Sequence, residues 1–122
     1  MRFRTVTLLT TVFFGGLAVG LIASPEYFAG TFGLIESDGA TVMARRAGVL
    51  FIGLAGLIYA SRGLPPGKAR RKASIAMTVM FLSLILLGLY DLIRGAVGWG
   101  IFAAITPEIV FTLLYVRLLR QS

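Results

Sequence analysis

Three ionisable residues lie inside apolar stretches of this sequence: Arg46, Asp91 and Glu108. The chain has no Cys and no His, which removes thiol nucleophiles, disulfides and the most common metal ligand and general base. We identify no nucleophile–base pair, metal-ligand set or phosphate-binding loop, and we expect no cofactor and no metal. Tyr59, Tyr90 and the two carboxylates could in principle move protons, but the residues favour a non-enzymatic protein.

The composition of the chain is typical of a membrane protein. Hydrophobic residues make up 57% of it and charged residues only 14%, whereas soluble domains carry about 25% charged residues. The net charge of +7 falls in short clusters between apolar runs. That pattern indicates membrane topology rather than a nucleic-acid groove, so we expect no nucleic-acid partner.

Four apolar runs predict transmembrane helices at about residues 5–23, 39–61, 74–92 and 101–119. The first run, at ~1.5 Å per residue, spans roughly 28 Å, close to the ~30 Å hydrocarbon core. Its length favours an uncleaved span over a signal peptide, the rival interpretation of a basic start followed by an apolar run. The sequence therefore predicts an all-α fold, an integral membrane four-helix bundle that forms a single domain over residues 1–122.

The Lys and Arg residues are concentrated on the side of the predicted bundle that holds both termini. That side carries Arg2, Arg4, Arg62, Lys68, Arg70, Arg71, Lys72, Arg117 and Arg120, and the other side carries Arg45, Arg46 and Arg94. The positive-inside rule predicts that both termini are cytoplasmic. The membrane that we expect is a bacterial inner membrane. In the basic loop, residues 62–72, we favour contact with anionic lipid headgroups over a dedicated partner site. The acidic residues fall toward the outer side: Glu26, Glu36, Asp38, Asp91 and Glu108.

Counting along the helices brings the three intramembrane charges to comparable heights. From the inner helix ends, Arg46 lies ~22 Å, Asp91 ~25 Å and Glu108 ~14–17 Å into the membrane. A charge at such depth costs ~2.5–3.5 kcal/mol, which favours pairing inside the bundle. We therefore predict a buried polar cluster of Glu108, Arg46 and Asp91 in the outer half. Arg45 is a second candidate for this cluster, and Arg94 is a candidate for a local pair with Asp91.

Two Ser/Thr-Pro-Glu triplets resemble helix starts. The triplet at residues 24–26 predicts a short interfacial helix after the first span, with aromatic residues suited to the headgroup zone. The triplet at residues 106–108 lies inside the last span, where a new helix would be only roughly 21 Å long, too short to cross. We therefore favour a continuous helix kinked at Pro107, which deprives the Ala103 carbonyl of its donor, over a broken helix.

Glycine spacing predicts where helices approach closely. Lipid removes the hydrophobic drive between helices, so association depends on close backbone contact at small residues. Gly16 and Gly20 provide such positions in the first span, and Gly48, Gly53 and Gly56 in the second. We favour packing within one bundle over packing between two copies.

Three stretches together resemble a family of small bacterial four-helix membrane proteins of unknown function, itself similar to the DoxX-like group. They are "SPEYFAGTFGL", "ARRAGVLFIGLAGLIYASR" and "YDLIRGAVGWGIFAAITPEIVFTLLY". The positions that carry the shared layout are Pro25, Arg46, Asp91 and Glu108. The resemblance implies fold and topology only. Some DoxX-like relatives are linked to oxidation of sulfur compounds or quinones, an activity that we do not transfer because this chain offers no redox group.

The functional hypotheses follow from the predicted charge cluster, which either fixes helix register or also serves a ligand or proton. The leading hypothesis is a non-enzymatic accessory subunit, or a binder of a small lipid-like or amphipathic ligand in an outer-half pocket. The alternative is a proton-linked carrier or channel for small solutes that uses Glu108. Expected partners are the lipid bilayer and either a membrane-protein partner or a second copy of the chain.

Overall fold

The apolar runs fold as helices because a segment in hydrocarbon must satisfy its backbone N–H and C=O groups internally. A computed structural model describes residues 2–35 and 37–121; Glu36, one of the predicted outer acids, lies outside the described residues. Within them, the helices are α1 (Phe3–Ala23), α2 (Pro25–Thr31), α3 (Asp38–Ser61), α4 (Lys68–Ile93), the 3₁₀ turn Trp99–Ile101 and α5 (Phe102–Gln121). Of these, α1, α3, α4 and the continuous helical stretch Trp99–Gln121 are long and apolar enough to cross a membrane. The predicted all-α fold with four helices of this kind is confirmed.

The main difference from the predicted boundaries is at α4, which begins at Lys68 rather than near residue 74. The segment 68–72 is therefore helical, because Lys, Arg and Ala are good helix formers. Before it, Gly67 has a φ of +150°, a conformation that L side chains rarely adopt. The loop between α3 and α4 is consequently shorter than predicted.

Local predictions at the helix starts and at the internal proline agree with the structure. The Ser37 hydroxyl accepts a hydrogen bond from the Ala40 N–H at 3.1 Å and caps α3. Pro25 occupies the first turn of α2. Helix α5 runs through Pro107 without a break, as expected, while the kink at this residue stays a prediction.

The long helices pack chiefly as two pairs, α1 with α3 and α4 with α5. A glycine permits the close approach in each pair. In α3, a Cβ at Gly48 would lie 3.1 Å from the Ala18 carbonyl oxygen of α1, and in α4 a Cβ at Gly88 would lie 3.2 Å from the Ile105 side chain of α5. Helices α3 and α5 belong to different pairs and have at most marginal contact.

Apart from Gly48, the glycines predicted from their spacing do not lie between the long helices. A Cβ at Gly16, Gly53 or Gly56 would meet nothing within 4 Å, and one at Gly20 would meet the ring of Phe28 in α2. Within one chain, the predicted close approach of the long helices therefore occurs at Gly48 but not at these four residues, and Gly88, which was not predicted, provides a second such position. Spacing identifies small residues but not the direction in which they face.

An aromatic cluster joins the two helix pairs. The ring of Phe81 in α4 stacks on Phe111 of α5 at 5.2 Å and on Phe14 of α1 at 5.6 Å, measured between ring centroids. Such pairs each contribute ~0.5–1.5 kcal/mol beyond their buried area. Next to them, the hydroxyl groups of Tyr115 and Thr10 share a hydrogen bond of 2.8 Å between α5 and α1. This cluster holds the four long helices in one bundle.

At the end of the bundle remote from the termini, α2 is bound to the segment that precedes α5. The Gly98 N–H donates to the Phe32 carbonyl at 2.7 Å. Gly100 lies directly against the Thr31 backbone, where any Cβ would collide with it, and Gly33 has a φ of +70°. These glycines allow two backbone segments to meet where side chains would keep them apart.

Candidate functional site

Glu108 is a charged-type side chain that the fold buries. It is 8% exposed and lies on the same face of α5 as the buried residues Ile105, Phe111 and Tyr115. Among residues 2–35 and 37–121, its Oε2 atom has no hydrogen-bond partner. Leaving a buried polar atom unpaired costs free energy. Glu108 is therefore either a cost to the fold or a group whose partner comes from outside the described chain.

Arg46 does not pair with Glu108, which corrects the predicted cluster. Both Arg45 and Arg46 are exposed on α3, and Arg46 lines a shallow cavity of about 220 Å³ with Val49 and Leu50. In the part of the chain that the structure describes, no ion pair joins Arg46 to an acid. The reason is that α3 packs on α1 whereas α5 packs on α4. Arg46 and Glu108 therefore do not meet, even though they were predicted to lie at similar heights.

Asp91 is also separate from Glu108. It pairs with Arg94, one turn further along α4, at 3.3 Å, as the spacing predicts. The side chains are 29% and 57% exposed respectively, and exposed pairs contribute about 0–1 kcal/mol. The predicted trio is thus divided into a buried acid, an exposed cation and a local surface pair.

The end of the bundle remote from the termini contains a small pocket, but not the one predicted. It has a volume of about 120 Å³ and is lined by Leu21, Pro25, Glu26, Phe28, Ala29, Phe32, Leu34, Ala40, Thr41 and Ala44. Glu26 is its acidic residue, and none of Arg46, Asp91 and Glu108 contributes to this lining. Because Arg46, Asp91 and Glu108 are separated, they do not form the common floor that this prediction required.

The larger cavity lies at the opposite end, where both ends of the described chain meet. It has a volume of about 420 Å³ and is lined by Arg2, Phe3, Arg4, Pro66, Arg70, Arg71, Ser74, Leu118 and Gln121. We call it the basic cavity. The start of α1, the loop after α3, the start of α4 and the end of α5 build it. Four arginines from two distant segments of the sequence thus surround one space.

Two of these arginines are anchored to backbone carbonyls. Arg70 donates from Nε and Nη2 to the Leu64 carbonyl at 2.9 and 2.6 Å, and its guanidinium carbon lies 4.8 Å from the centre of the Phe3 ring. Arg71 donates from Nη1 to the Leu119 carbonyl at 3.3 Å. Hydrogen bonds and cation–π contact reduce the freedom of these side chains, so their charges are held beside the cavity before any ligand arrives.

The electrostatics of the basic cavity are one-sided. No Asp or Glu is among the residues that line it, and within residues 2–35 and 37–121 the one ion pair is that of Asp91 with Arg94, far along α4. Like charges brought together near low-dielectric surroundings repel one another. An anion bound beside Arg2 and Arg4 would reduce the repulsion between these two side chains.

An apolar groove adjoins the basic cavity. Its volume is about 210 Å³, and it is lined by Phe3, Thr7, Leu54, Leu57, Ile58, Ser61, Ala73, Ala76, Met77 and Tyr115. The hydroxyl groups of Thr7 and Ser61 donate to carbonyls of their own helices, so they present little free polarity. Leu57 is 72% exposed, which leaves the groove open to the side of the bundle. Phe3 belongs to the lining of both spaces.

The sequence predicted that these arginines lie at one end of the bundle, but it did not predict that they line a common cavity. The positive-inside count placed Arg2, Arg4, Arg70 and Arg71 at one end, yet it assigned them to topology and to diffuse headgroup contact. A usable signal was the phenylalanine between Arg2 and Arg4, because an aromatic residue among cations offers a stacking surface. Among the described residues, no group of Asp and Glu is arranged to hold a metal ion.

Comparison of the chain with family models, with curated proteins and with solved structures finds no match. The resemblance to DoxX-like proteins therefore stays a prediction. What the fold and the site define is a class: an all-helical protein with four helices able to cross a membrane and a positively charged cavity at one end.

Proposed function

We propose that this chain is a non-enzymatic, multi-pass membrane protein that binds a lipid-like amphiphile at its basic end. The supporting observation is that Phe3 belongs to the lining of both the basic cavity and the apolar groove. A polar head in the first space and an apolar tail in the second would each meet matching surroundings. The basic cavity, at about 420 Å³, falls in the range of ~300–1,000 Å³ typical of small-molecule sites.

In this proposal the basic end faces the cytoplasm of a bacterial cell, with both termini inside. The concentration of Lys and Arg at that end supports this orientation. Helix α2 then lies at the outer membrane interface, where the 69% exposed Tyr27 suits the headgroup zone. The ligand site thus moves from the outer half, where the sequence predicted it, to the inner end, because the larger cavity lies there.

Tail binding can be tested with a tryptophan reporter, since the chain has a single Trp, at position 99. In a Trp99→Phe background, Leu57→Trp places the reporter in the wall of the apolar groove. We expect a detergent-solubilised protein to show saturable quenching by an amphiphile brominated on its tail. Ala76→Phe should fill the groove and abolish the saturable part. Val79→Phe, also exposed on α4 but outside the lining, is the matched control and should preserve it; equal quenching in all three variants contradicts the proposal.

A second candidate function is a proton-linked carrier or channel that uses Glu108. The specific observation in its favour is the buried Oε2 atom without a partner in the described chain, because intramembrane ionisable residues are frequently functional. Proteoliposomes with an entrapped pH indicator test it. This candidate predicts proton flux that Glu108→Gln abolishes and Glu26→Gln preserves, and an absence of flux in the unmodified chain contradicts it.

A further inference from the structure

We infer that a layer of phenylalanine rings across the bundle is a dry barrier to protons, placed between Glu108 and the buried hydroxyl groups nearer the basic end. The inference does not depend on amphiphile binding. It rests on the second candidate function only for the access of protons to Glu108 from the remote end of the bundle. We call the rings the aromatic layer; they belong to Phe13, Phe14, Phe51, Phe81 and Phe111.

Each of the four long helices contributes a ring to the aromatic layer. The ring of Phe14 in α1 lies 5.3 Å from that of Phe51 in α3 and 5.6 Å from that of Phe81 in α4, measured between centroids. The ring of Phe81 in turn lies 5.2 Å from that of Phe111 in α5. Phe13 closes the set, because its ring lies 5.3 Å from both Phe14 and Phe111. The rings are therefore in contact from one helix pair to the other.

Buried hydroxyl groups lie on the side of the aromatic layer that faces the basic end. The Thr10 hydroxyl donates to the Val6 carbonyl at 2.7 Å and shares a bond of 2.8 Å with the Tyr115 hydroxyl. Because a hydroxyl has one proton to donate, Tyr115 is the donor in the shared bond. Thr7 lies one turn further toward the basic end and lines the apolar groove with Tyr115, while the buried Ser74 lines the basic cavity. Polar groups thus lie between the openings at the basic end and the aromatic layer.

Glu108 lies on the other side of the aromatic layer. Glu108, Phe111 and Tyr115 are all buried, and their spacing of three and four residues places them on one face of α5, with Phe111 in the middle. The two polar residues are about 10.5 Å apart along the helix axis at 1.5 Å per residue. Proton transfer requires groups at roughly 2.6–3.2 Å, or one bridging water. The separation is too long for either, so proton movement between Glu108 and Tyr115 is interrupted at Phe111.

The chemistry of the rings keeps water out of this separation. A water molecule in a protein interior needs about 2–4 polar partners, and cavities lined by apolar side chains stay dry. Phenylalanine rings have no N–H, O–H or carbonyl group to offer. Phe14 and Phe81 are 1% and 0% exposed and Phe111 is 8% exposed, so the rings also leave little room. The side chain at position 111 therefore decides whether the two polar regions are connected.

The test is proton flux into proteoliposomes of the full chain, followed with an entrapped pH indicator under an imposed pH gradient. Phe111→Ser removes the ring and adds a hydroxyl that can hold water, whereas Phe111→Leu removes the ring but leaves the site apolar and dry. We expect flux through Phe111→Ser to exceed that through Phe111→Leu by at least about tenfold, the rate effect of one hydrogen bond gained in the barrier. In Phe111→Ser/Glu108→Gln the flux should fall to the level of Phe111→Leu. Circular dichroism checks the fold, and Phe111→Gln, which fills more of the space and is also polar, replaces Phe111→Ser if that variant does not fold.

The outcomes separate the barrier from the second candidate function. Equal flux through Phe111→Ser and Phe111→Leu overturns the barrier, and so does flux through Phe111→Ser that persists in the double variant, because it bypasses Glu108. Flux through the unmodified chain as high as that through Phe111→Ser also overturns it. If the unmodified chain shows no flux while Phe111→Ser shows flux that depends on Glu108, the barrier stands and the carrier function is wrong. Absence of flux in every variant overturns both.

Discussion

Replacing Glu108 by Met should stabilise the bundle, even though Glu108 is a buried residue of α5. The side chain is 8% exposed, and its Oε2 atom has no partner in residues 2–35 and 37–121. A buried polar atom left unpaired costs ~1–3 kcal/mol. Met is an unbranched apolar side chain that adapts to irregular gaps, so Glu108→Met should recover a gain of that order. If Glu108 belonged to a buried ion pair, its removal would instead cost ~3–5 kcal/mol. The change in the free energy of unfolding therefore has opposite signs for an unpaired and a paired Glu108.

The measurement is reversible unfolding by dodecyl sulfate in mixed micelles, followed by circular dichroism. Glu26→Met provides the control, because Glu26 is exposed and surface changes usually stay within ±0.5 kcal/mol. A loss of more than ~1 kcal/mol in Glu108→Met, well outside that surface range, would refute the reasoning. It would mean that Glu108 has a stabilising partner in the folded chain.

Three further predictions use the same unfolding measurement. Tyr115→Phe removes the hydrogen bond to Thr10 and should cost ~0.6 kcal/mol, up to ~1.7, the range for bonds between membrane helices; no loss at all would contradict the bond. Gly48→Ala places a Cβ 2.8 Å from a side-chain carbon of α1 and should cost ~1–3 kcal/mol, whereas Gly53→Ala, with open space beside it, should gain ~0.5–1 kcal/mol. Equal effects of the two would show that α1 and α3 pack differently. Asp91→Asn should cost less than ~1 kcal/mol because its ion pair is exposed; a larger loss would place Asp91 in a buried network.

The order and extent of the helices could be predicted because they depend on local sequence. Four apolar runs of sufficient length specify four helices, Ser37 caps α3 through a bond to a neighbour in sequence, and Pro25 is compatible with a helix start. Even the helix through Pro107 follows from length, since half of that run could not cross a membrane. Each of these predictions depends only on residues that are close together in the sequence.

The charge cluster could not be predicted, because height along a helix is local information and direction around it is not. Successive residues differ by about 100° in direction, so Arg46 and Glu108 can share a level and still face different surroundings. Which face of α3 meets α1 depends on the contact at Gly48. That contact becomes visible only when the helices are placed beside one another.

The basic cavity lay beyond prediction for a related reason. Arg4 and Arg70 are far apart in sequence, and a count of positive charges assigns them to one side of the membrane without giving them a common space. Their convergence depends on the pairing of α4 with α5 and on the aromatic cluster around Phe81. The charge count gives the side of the membrane, and only the packing of the helices shows that these arginines line one cavity.

The most direct test of the account is the electron density at the basic end in crystals of the full chain grown from a lipidic mesophase doped with phosphatidate. The account predicts density for the polar head of the lipid in the basic cavity, continuous with a tail that passes Phe3 into the apolar groove. A basic cavity without lipid density, with the doped lipid located instead in the small pocket beside Phe28, would contradict it.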